Sequence, residues 1–87
     1  MALNFPNESR SFDARRNAVR FWGYDNAMEA SFFVMADALR QIQPGLQSDT
    51  DALLSAFDSN RRLICAAAAK VYARGTKGSY TLVASDF

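Results

Sequence analysis

The sequence predicts an α+β domain in which helices pack on one face of a small, mainly antiparallel sheet. Three observations support this fold class. Residues 18–35 are rich in aromatic and β-branched side chains, an apolar stripe over 53–72 repeats with the helical period, and a second β-rich segment occupies 78–86. We expect an N-terminal hairpin plus a C-terminal strand in the sheet, with one short and one long helix packed on one face.

The composition narrows the class of protein. A chain of 87 residues predicts a single domain over 1–87, and 49% hydrophobic with 22% charged residues argues against disorder. The net charge of +1 argues against a strongly basic nucleic-acid binder. The single cysteine and the polar N-terminus argue against secretion, and the longest apolar run, 63–69, is too short to span a bilayer. These absences predict a cytoplasmic location with no membrane association.

The first ten residues, 1–10, predict an N-terminal arm or an edge strand. Leu3 and Phe5 alternate with polar residues, and Pro6 lacks the backbone N–H that a central strand would need. The next segment, 10–13, predicts a brief strand.

A hairpin is predicted from strands over 18–24 and 27–35. Asp25-Asn26 fits a two-residue turn because both residue types tolerate positive φ, and this turn places Tyr24 opposite Ala27. Because side chains alternate between faces, both strands agree on which face is apolar. The apolar face carries Val19, Phe21, Gly23, Met28, Ala30, Phe32 and Val34, and the other carries Arg20, Trp22, Tyr24, Glu29, Ser31 and Phe33.

The second face of this hairpin predicts an interface. Trp22, Tyr24 and Phe33 would form an apolar surface larger than a monomer usually exposes, and Trp and Tyr commonly anchor interfaces. Arg20 and Glu29 would form its polar rim. We therefore predict self-association as a dimer through this face.

The alternative is that the N-terminal arm, and not a second subunit, covers this face of the hairpin. The N-terminal arm could fold over it and supply Phe5 or Phe12.

Two helices are predicted after the hairpin. The first covers 36–42 and ends before Pro44-Gly45, and the second begins near Ser48 and stops at Gly75. Unbroken, the second helix would have about 25 residues and a length of roughly 39 Å. Since this exceeds the expected diameter of the domain, either the helix breaks near 59–60 or a partner covers the excess.

Asn60 and Arg61 interrupt the apolar stripe of this long helix. Polar residues in such a position mark a helix break or an edge of the core, and the alternative is contact with a ligand or partner.

The sequence predicts no catalytic, cofactor-binding or metal site. It contains no histidine, which removes the commonest general base and metal ligand. Cys65 lies within a helix and has no base to activate it, which favours a packing role. Asp49 and Asp51 suit a helix N-terminus, and Asp58 suits pairing with the arginine three or four residues later.

Basic and aromatic residues on the hairpin predict a second function. Arg15, Arg16 and Arg20 lie on or beside the strand that carries Trp22 and Tyr24. Single-stranded nucleic acids are bound by such mixtures of positive charge and stacking rings.

Several short motifs, spread over nearly the whole chain, occur together as they do in one known protein family. They are Phe5-Pro6, Phe12-Asp13, Val19-x-Phe21, Ala36-x-x-Leu39, Phe57-x-x-Asn60-Arg61-x-x-Ile64 with Ala68 and Tyr72, Gly78-Ser79-Tyr80-x-Leu82, and Phe87. In these motifs the chain resembles the small bacterial proteins of Domain of Unknown Function 1488. The resemblance implies a stand-alone cytosolic α+β domain and implies no activity. Met35 departs from it, since a Ser or Thr helix cap is expected there.

The leading interpretation is a small non-enzymatic bacterial interaction or regulatory protein that self-associates through the aromatic sheet face. The alternative is a nucleic-acid-binding module that uses the basic hairpin. An enzyme with carboxylate or lysine chemistry is the third.

Overall fold

Three helices pack on one face of a five-stranded, mostly antiparallel sheet in the part of the chain that the structure describes, residues 3–73 and 79–87. The structure is a computed structural model. The elements are β1 (Leu3–Asn4), β2 (Ser11–Asp13), β3 (Ala18–Asp25), β4 (Met28–Met35), α1 (Ala36–Ile42), α2 (Thr50–Ser59), α3 (Arg61–Ala73) and β5 (Ser79–Leu82), followed by a 3-10 turn at Ala84–Asp86. This architecture confirms the predicted fold class.

Strand β3 lies near the centre of the sheet. Strands β1 and β2 pair with opposite ends of its outer edge, and β4 pairs along its other edge. The helices then carry the chain across one face, so that β5 returns parallel to β4. The predicted arm is thus a short edge strand. The C-terminal strand returns beside the hairpin as expected, but it ends at Leu82, and residues 84–86 of the predicted strand form the 3-10 turn.

The hairpin register differs from the prediction by two residues. Its two-residue turn is Asn26-Ala27, so Asp25 pairs with Met28 and Tyr24 pairs with Glu29. Asn26 adopts a φ of 57°, a conformation that Asn tolerates better than most residues. Asp25 remains in the strand, where its carboxylate accepts a hydrogen bond of 3.0 Å from the Tyr72 hydroxyl. Because the shift is even, each side chain stays on its predicted face.

The apolar face of the hairpin forms the floor of the core. Phe21 stacks on Phe32 with ring centroids 5.3 Å apart, and Phe57 from α2 packs on Phe21 at 5.0 Å. Further rows of fully buried side chains come from all the main elements and include Val19, Val34, Leu39, Leu53, Ile64 and Leu82. This concentration of apolar contacts explains why the helices cover this face of the sheet.

The predicted long helix is divided in two at Asn60. Its backbone N–H donates to the carbonyls of Ala56 and Phe57 and ends α2, while its own carbonyl accepts from the N–H of Ile64 and begins α3. The side-chain amide also donates to the Ala56 carbonyl at 2.8 Å. The break near 59–60, one of the two alternatives left by the sequence, therefore resolves the excess length.

The observed helix ends agree with the predicted ends and caps to different degrees. Helix α1 has the predicted bounds, although Met35 makes no side-chain cap. Asp49 caps helix α2, and its carboxylate accepts a hydrogen bond of 3.2 Å from the Ala52 N–H. The predicted stop at Gly75 and the predicted strand start at Gly78 lie outside the described residues.

Aromatic residues of the N-terminal segment lie on the helix side of the sheet. Phe5 packs against Phe21 and Phe32 with centroid distances of 6.1 and 5.8 Å. Phe12 pairs with the buried Val19 and therefore shares its face. The alternative in which Phe5 or Phe12 covers the other face of the hairpin is excluded.

The contact between Phe5 and Gly23 gives a stability prediction. A Cβ at position 23 would lie 2.7 Å from Phe5 Cε2 and 3.1 Å from Phe32 Cε2. Since overpacking costs about 1–3 kcal/mol, we expect Gly23→Ala to lower the free energy of unfolding in urea by this amount. The same change should cost less in a Phe5→Ala background, because the closest atom is gone. Equal costs in the two backgrounds would contradict this packing.

Candidate functional site

The face of the sheet opposite the helices is the candidate site, and we call it the outer sheet face. The structure brings together on it all five residues predicted for the interface. Trp22 and Tyr24 are half-buried, whereas Glu29 is exposed. The register places on this face Arg20, Trp22 and Tyr24 from β3, Glu29, Ser31 and Phe33 from β4, and Ser79 and Thr81 from β5.

Phe33 is not an exposed anchor, which corrects the prediction for this residue. Its side chain is only 5% exposed, although it faces away from the helices. The guanidinium of Arg16 lies 4.2 Å from the ring centroid and that of Arg20 lies 5.5 Å from it. Two arginines therefore cover this ring through cation–π contacts, which leaves their charged edges available to solvent.

Arg20 is held in place from several sides. Its guanidinium lies 5.2 Å from the Trp22 ring centroid, and its Nη2 donates a hydrogen bond of 3.0 Å to Ser31 Oγ. Its Nε is buried and makes no hydrogen bond to any described residue. No carboxylate in the described residues lies within ion-pair distance of Arg20. The side chain is thus ordered by stacking and retains an uncompensated positive charge.

Glu29 supplies the opposite charge at the other end of the face. Its carboxylate accepts a hydrogen bond of 2.7 Å from the Tyr24 hydroxyl, its partner across the hairpin. Among residues 3–73 and 79–87 no lysine or arginine pairs with it. The face therefore has a positive end and a negative end, with Trp22 and Ser31 between them.

The three predicted nucleic-acid contacts lie at the positive end. Arg15 and Arg16 are exposed in the turn before β3, and their backbone N–H groups donate to Asp13 Oδ1 at 3.0 and 3.2 Å. Arg16 also forms a long ion pair with Asp13, at 3.5 Å. Asp13 therefore compensates one of the three positive charges, whereas Arg15 and Arg20 have no ion-pair partner in the described residues.

A second polar cluster fastens the N-terminal segment to the helix break. Arg10 donates two hydrogen bonds to the Asp58 carboxylate, of 3.0 and 2.8 Å. Arg61 donates to Asp58 at 3.2 Å, to the Glu8 carbonyl at 2.9 Å, and lies 4.7 Å from the Phe57 ring centroid. The predicted pair of Asp58 with Arg61 is present, whereas no local pattern predicts the contact with Arg10, 48 residues away.

The contacts of Asn60 and Arg61 have a structural role. The Asn60 amide donates to the Ala56 carbonyl and to Gln43 Oε1, at 2.8 and 3.3 Å. With Arg61 bridging Asp58 and Glu8, both side chains connect elements of this chain. A shallow open groove lies beside them, and its lining extends to Leu63.

The other reactive groups of the described residues do not lie together. Burial raises the pKa of the Cys65 thiol, and the nearby Arg61 only partly opposes this effect. The pKa of Tyr72 is raised, chiefly because its hydroxyl donates to the Asp25 carboxylate. Among the described residues, metal-ligating side chains do not form a group of three or more. The helices in this part of the chain are too short or too polar to cross a membrane.

The ion pair between Arg10 and Asp58 predicts that the stability of the fold depends on pH. Hydrogen bonding to Arg10 lowers the pKa of Asp58, so the ion pair stabilises the fold above about pH 4 and is lost as pH falls through the lowered value. Because Asp58 is partly exposed, we expect Asp58→Asn to lower the free energy of unfolding at pH 7 by about 0.5–1 kcal/mol. The difference from wild type should shrink towards pH 2.

Urea denaturation at several pH values measures this effect. Glu8→Gln, on the same N-terminal segment as Arg10, is a suitable control, since no cation in the described residues pairs with its side chain. A wild-type advantage that is the same at pH 7 and pH 2 would contradict a role for the Asp58 charge.

Known proteins resemble this chain in sequence and in fold. The family described as "Protein of unknown function (DUF1488)" matches residues 3–83. A crystal structure of a protein of unknown function from the same family, from Shewanella loihica PV-4, superposes with a TM-score of 0.81. The two sequences are 18% identical, and the match covers 92% of this chain and 90% of the other. No curated protein matches. The chain belongs to the DUF1488 family.

Proposed function

We propose that this protein is a small non-enzymatic interaction protein that forms a dimer through its outer sheet face. The supporting observation is the half-buried Trp22 on a sheet face that no described helix covers. Tryptophan at the centre of a surface is the residue type that most often dominates binding energy. Tyr24 lies beside it and combines an apolar ring with a hydroxyl that is already hydrogen-bonded to Glu29.

The surroundings of Trp22 fit an interface with a polar border. The register gives it Ser31 as its partner across the hairpin, and Arg20 stacks on its ring. Arg20 at one end and Glu29 at the other add charged groups around this centre. Such an arrangement, an aromatic centre within a polar rim, is typical of protein interfaces.

The size of the face indicates a weak and reversible dimer. A strand of eight residues spans about 27 Å and four neighbouring strand positions span about 19 Å, so the face measures roughly 500 Å² per copy. Two copies would together bury about 1,000 Å², at the lower limit for a specific interface. A dissociation constant in the micromolar range is therefore expected.

Substitution of Trp22 tests this proposal. We expect the wild-type protein to change from monomer to dimer between about 1 μM and 1 mM, as measured by light scattering or sedimentation. Trp22→Glu should stay monomeric over the same range, because it removes the anchor and places a charge in the interface. Trp22→Thr, which keeps a β-forming residue, should also weaken association by at least about tenfold.

The matched control is Leu63→Glu. Leu63 is 50% exposed but lies on α3, on the opposite side of the molecule from the outer sheet face. This variant should associate like wild type. Circular dichroism and thermal unfolding must show that each variant is folded. A wild-type monomer at all concentrations, or unfolding of both Trp22 variants, would contradict the proposal.

Single-stranded nucleic acid is the second candidate ligand. The observation that favours it is the stacking of Arg16 and Arg20 on Phe33 beside Trp22, since stacked arginines and aromatic rings bind bases and phosphates. Arg15 lies in the adjoining turn. The modest positive charge of this end makes this candidate weaker than self-association.

Binding to short DNA and RNA oligonucleotides at low salt tests the second candidate. Fluorescence anisotropy should give an affinity that falls with salt, with a log–log slope of about −0.7 per phosphate contact. Arg15→Ser should reduce the slope if that residue meets a phosphate. An absence of binding at low salt would eliminate this candidate.

A further inference from the structure

We propose that Arg20 of one copy pairs with Glu29 of a second copy, so that two equivalent ion pairs set the alignment of the dimer. This inference rests on the proposed self-association and adds the contacts that orient it. It follows from two charges on the outer sheet face that have no ionic partner in the described residues of their own chain.

The two groups cannot meet within one chain. Arg20 pairs with Phe33 across the hairpin, whereas Glu29 pairs with Tyr24. Tyr24 is four residues from Arg20 along β3, which separates the two rows by about 14 Å. A second copy of the chain supplies the opposite charge in the same geometry, which no charge in the described residues does.

A two-fold axis across the strands brings these charges together. If the axis passes through the row of Trp22 and Ser31, this row faces its own copy, and the Arg20 row of each chain faces the Tyr24–Glu29 row of its partner. The Glu29 column is one strand spacing, about 4.8 Å, from the column of Arg20. Packed sheets lie about 10 Å apart, a distance that a long arginine and a glutamate together can span.

The same charges disfavour the other face-to-face arrangement. With the two-fold axis parallel to the strands, the Arg20 rows of the two chains would face each other, as would the Glu29 rows. Opposed like charges are unfavourable at an interface, so the pattern selects one axis by attraction and rejects the other by repulsion.

The local structure of Arg20 prepares it for such a contact. Rings of Trp22 and Phe33 hold the guanidinium, and its one described hydrogen bond uses Nη2. Pre-ordering of this kind reduces the side-chain entropy lost on association. The buried Nε has no partner among residues 3–73 and 79–87, so contacts within this part of the chain leave some of the hydrogen-bonding capacity of Arg20 unused.

A charge exchange tests the pairing by measuring the dimer dissociation constant. Arg20→Glu and Glu29→Arg should each weaken the dimer by at least about tenfold, because each single change creates two repulsive contacts in the symmetric dimer. The double variant, Arg20→Glu with Glu29→Arg, should return to within about threefold of wild type. Arg62→Glu and Asp51→Arg, which change the net charge equally on the helix side, should have little effect.

A second measurement covers the case in which Arg20→Glu does not fold. The dissociation constant of wild type should rise with added salt, and Arg20→Gln and Glu29→Gln should each reduce this dependence. Loss of affinity in the single variants without recovery in the double variant would overturn the pairing and leave the proposed dimer intact. Unchanged affinity in the single variants would also overturn it. A wild-type monomer would overturn the proposed function itself.

Discussion

The antiparallel pairing of β3 with β4 determines which side chains lie on each face of the sheet. It runs without interruption from the pair of Ala18 and Met35 to the pair of Asp25 and Met28. Because side chains alternate, this one register assigns Phe21 and Phe32 to the helix side and Trp22 to the other. The core and the candidate interface are therefore two consequences of the same pairing, and a slip of one residue would exchange them.

The remaining elements protect this hairpin on its open sides. Strands β1 and β2 cover the free edge of β3 in two short pieces, and Phe5 closes the core above Gly23. The ion pair of Arg10 with Asp58 then connects the segment between β1 and β2 to the helices. Each attachment is small, since a two-residue strand and a partly exposed ion pair contribute little alone. Together they let the N-terminal segment cover the outer edge of β3, which would otherwise be exposed.

The sequence predicted those features that depend on local periodicity. Alternation alone assigned Trp22 and Phe32 to their faces, and the bounds of α1 followed from the residues after Met35. The turn was displaced because Asp25 is held in the strand by Tyr72, 47 residues away, a contact that no local pattern reveals. The helix break at Asn60 could be stated only as an alternative, because Asn is tolerated within helices as well as at their ends.

The sequence predicted which residues lie on the candidate site but not how exposed each of them is. Alternation placed Phe33 on the outer sheet face correctly, yet the ring is buried under Arg16, seventeen positions earlier in the chain. This contact depends on the Asx turn at Asp13, which brings the residues after β2 back over the sheet. Sequence spacing does not encode such a contact.

The arginines that stack on Phe33 and Trp22 shield these rings in the free chain, and they also leave the outer sheet face able to bind a partner. In the free chain the guanidinium groups shield Phe33 and part of Trp22 while their charged edges remain hydrated, which limits the apolar surface open to non-specific association. In a dimer the same stacking contacts can persist, since only the outer edges of the guanidinium groups need to lose water. A face built in this way favours a partner that supplies carboxylates at the matching positions and disfavours purely apolar surfaces. The charge pattern therefore contributes selectivity where the small area of the face cannot contribute high affinity.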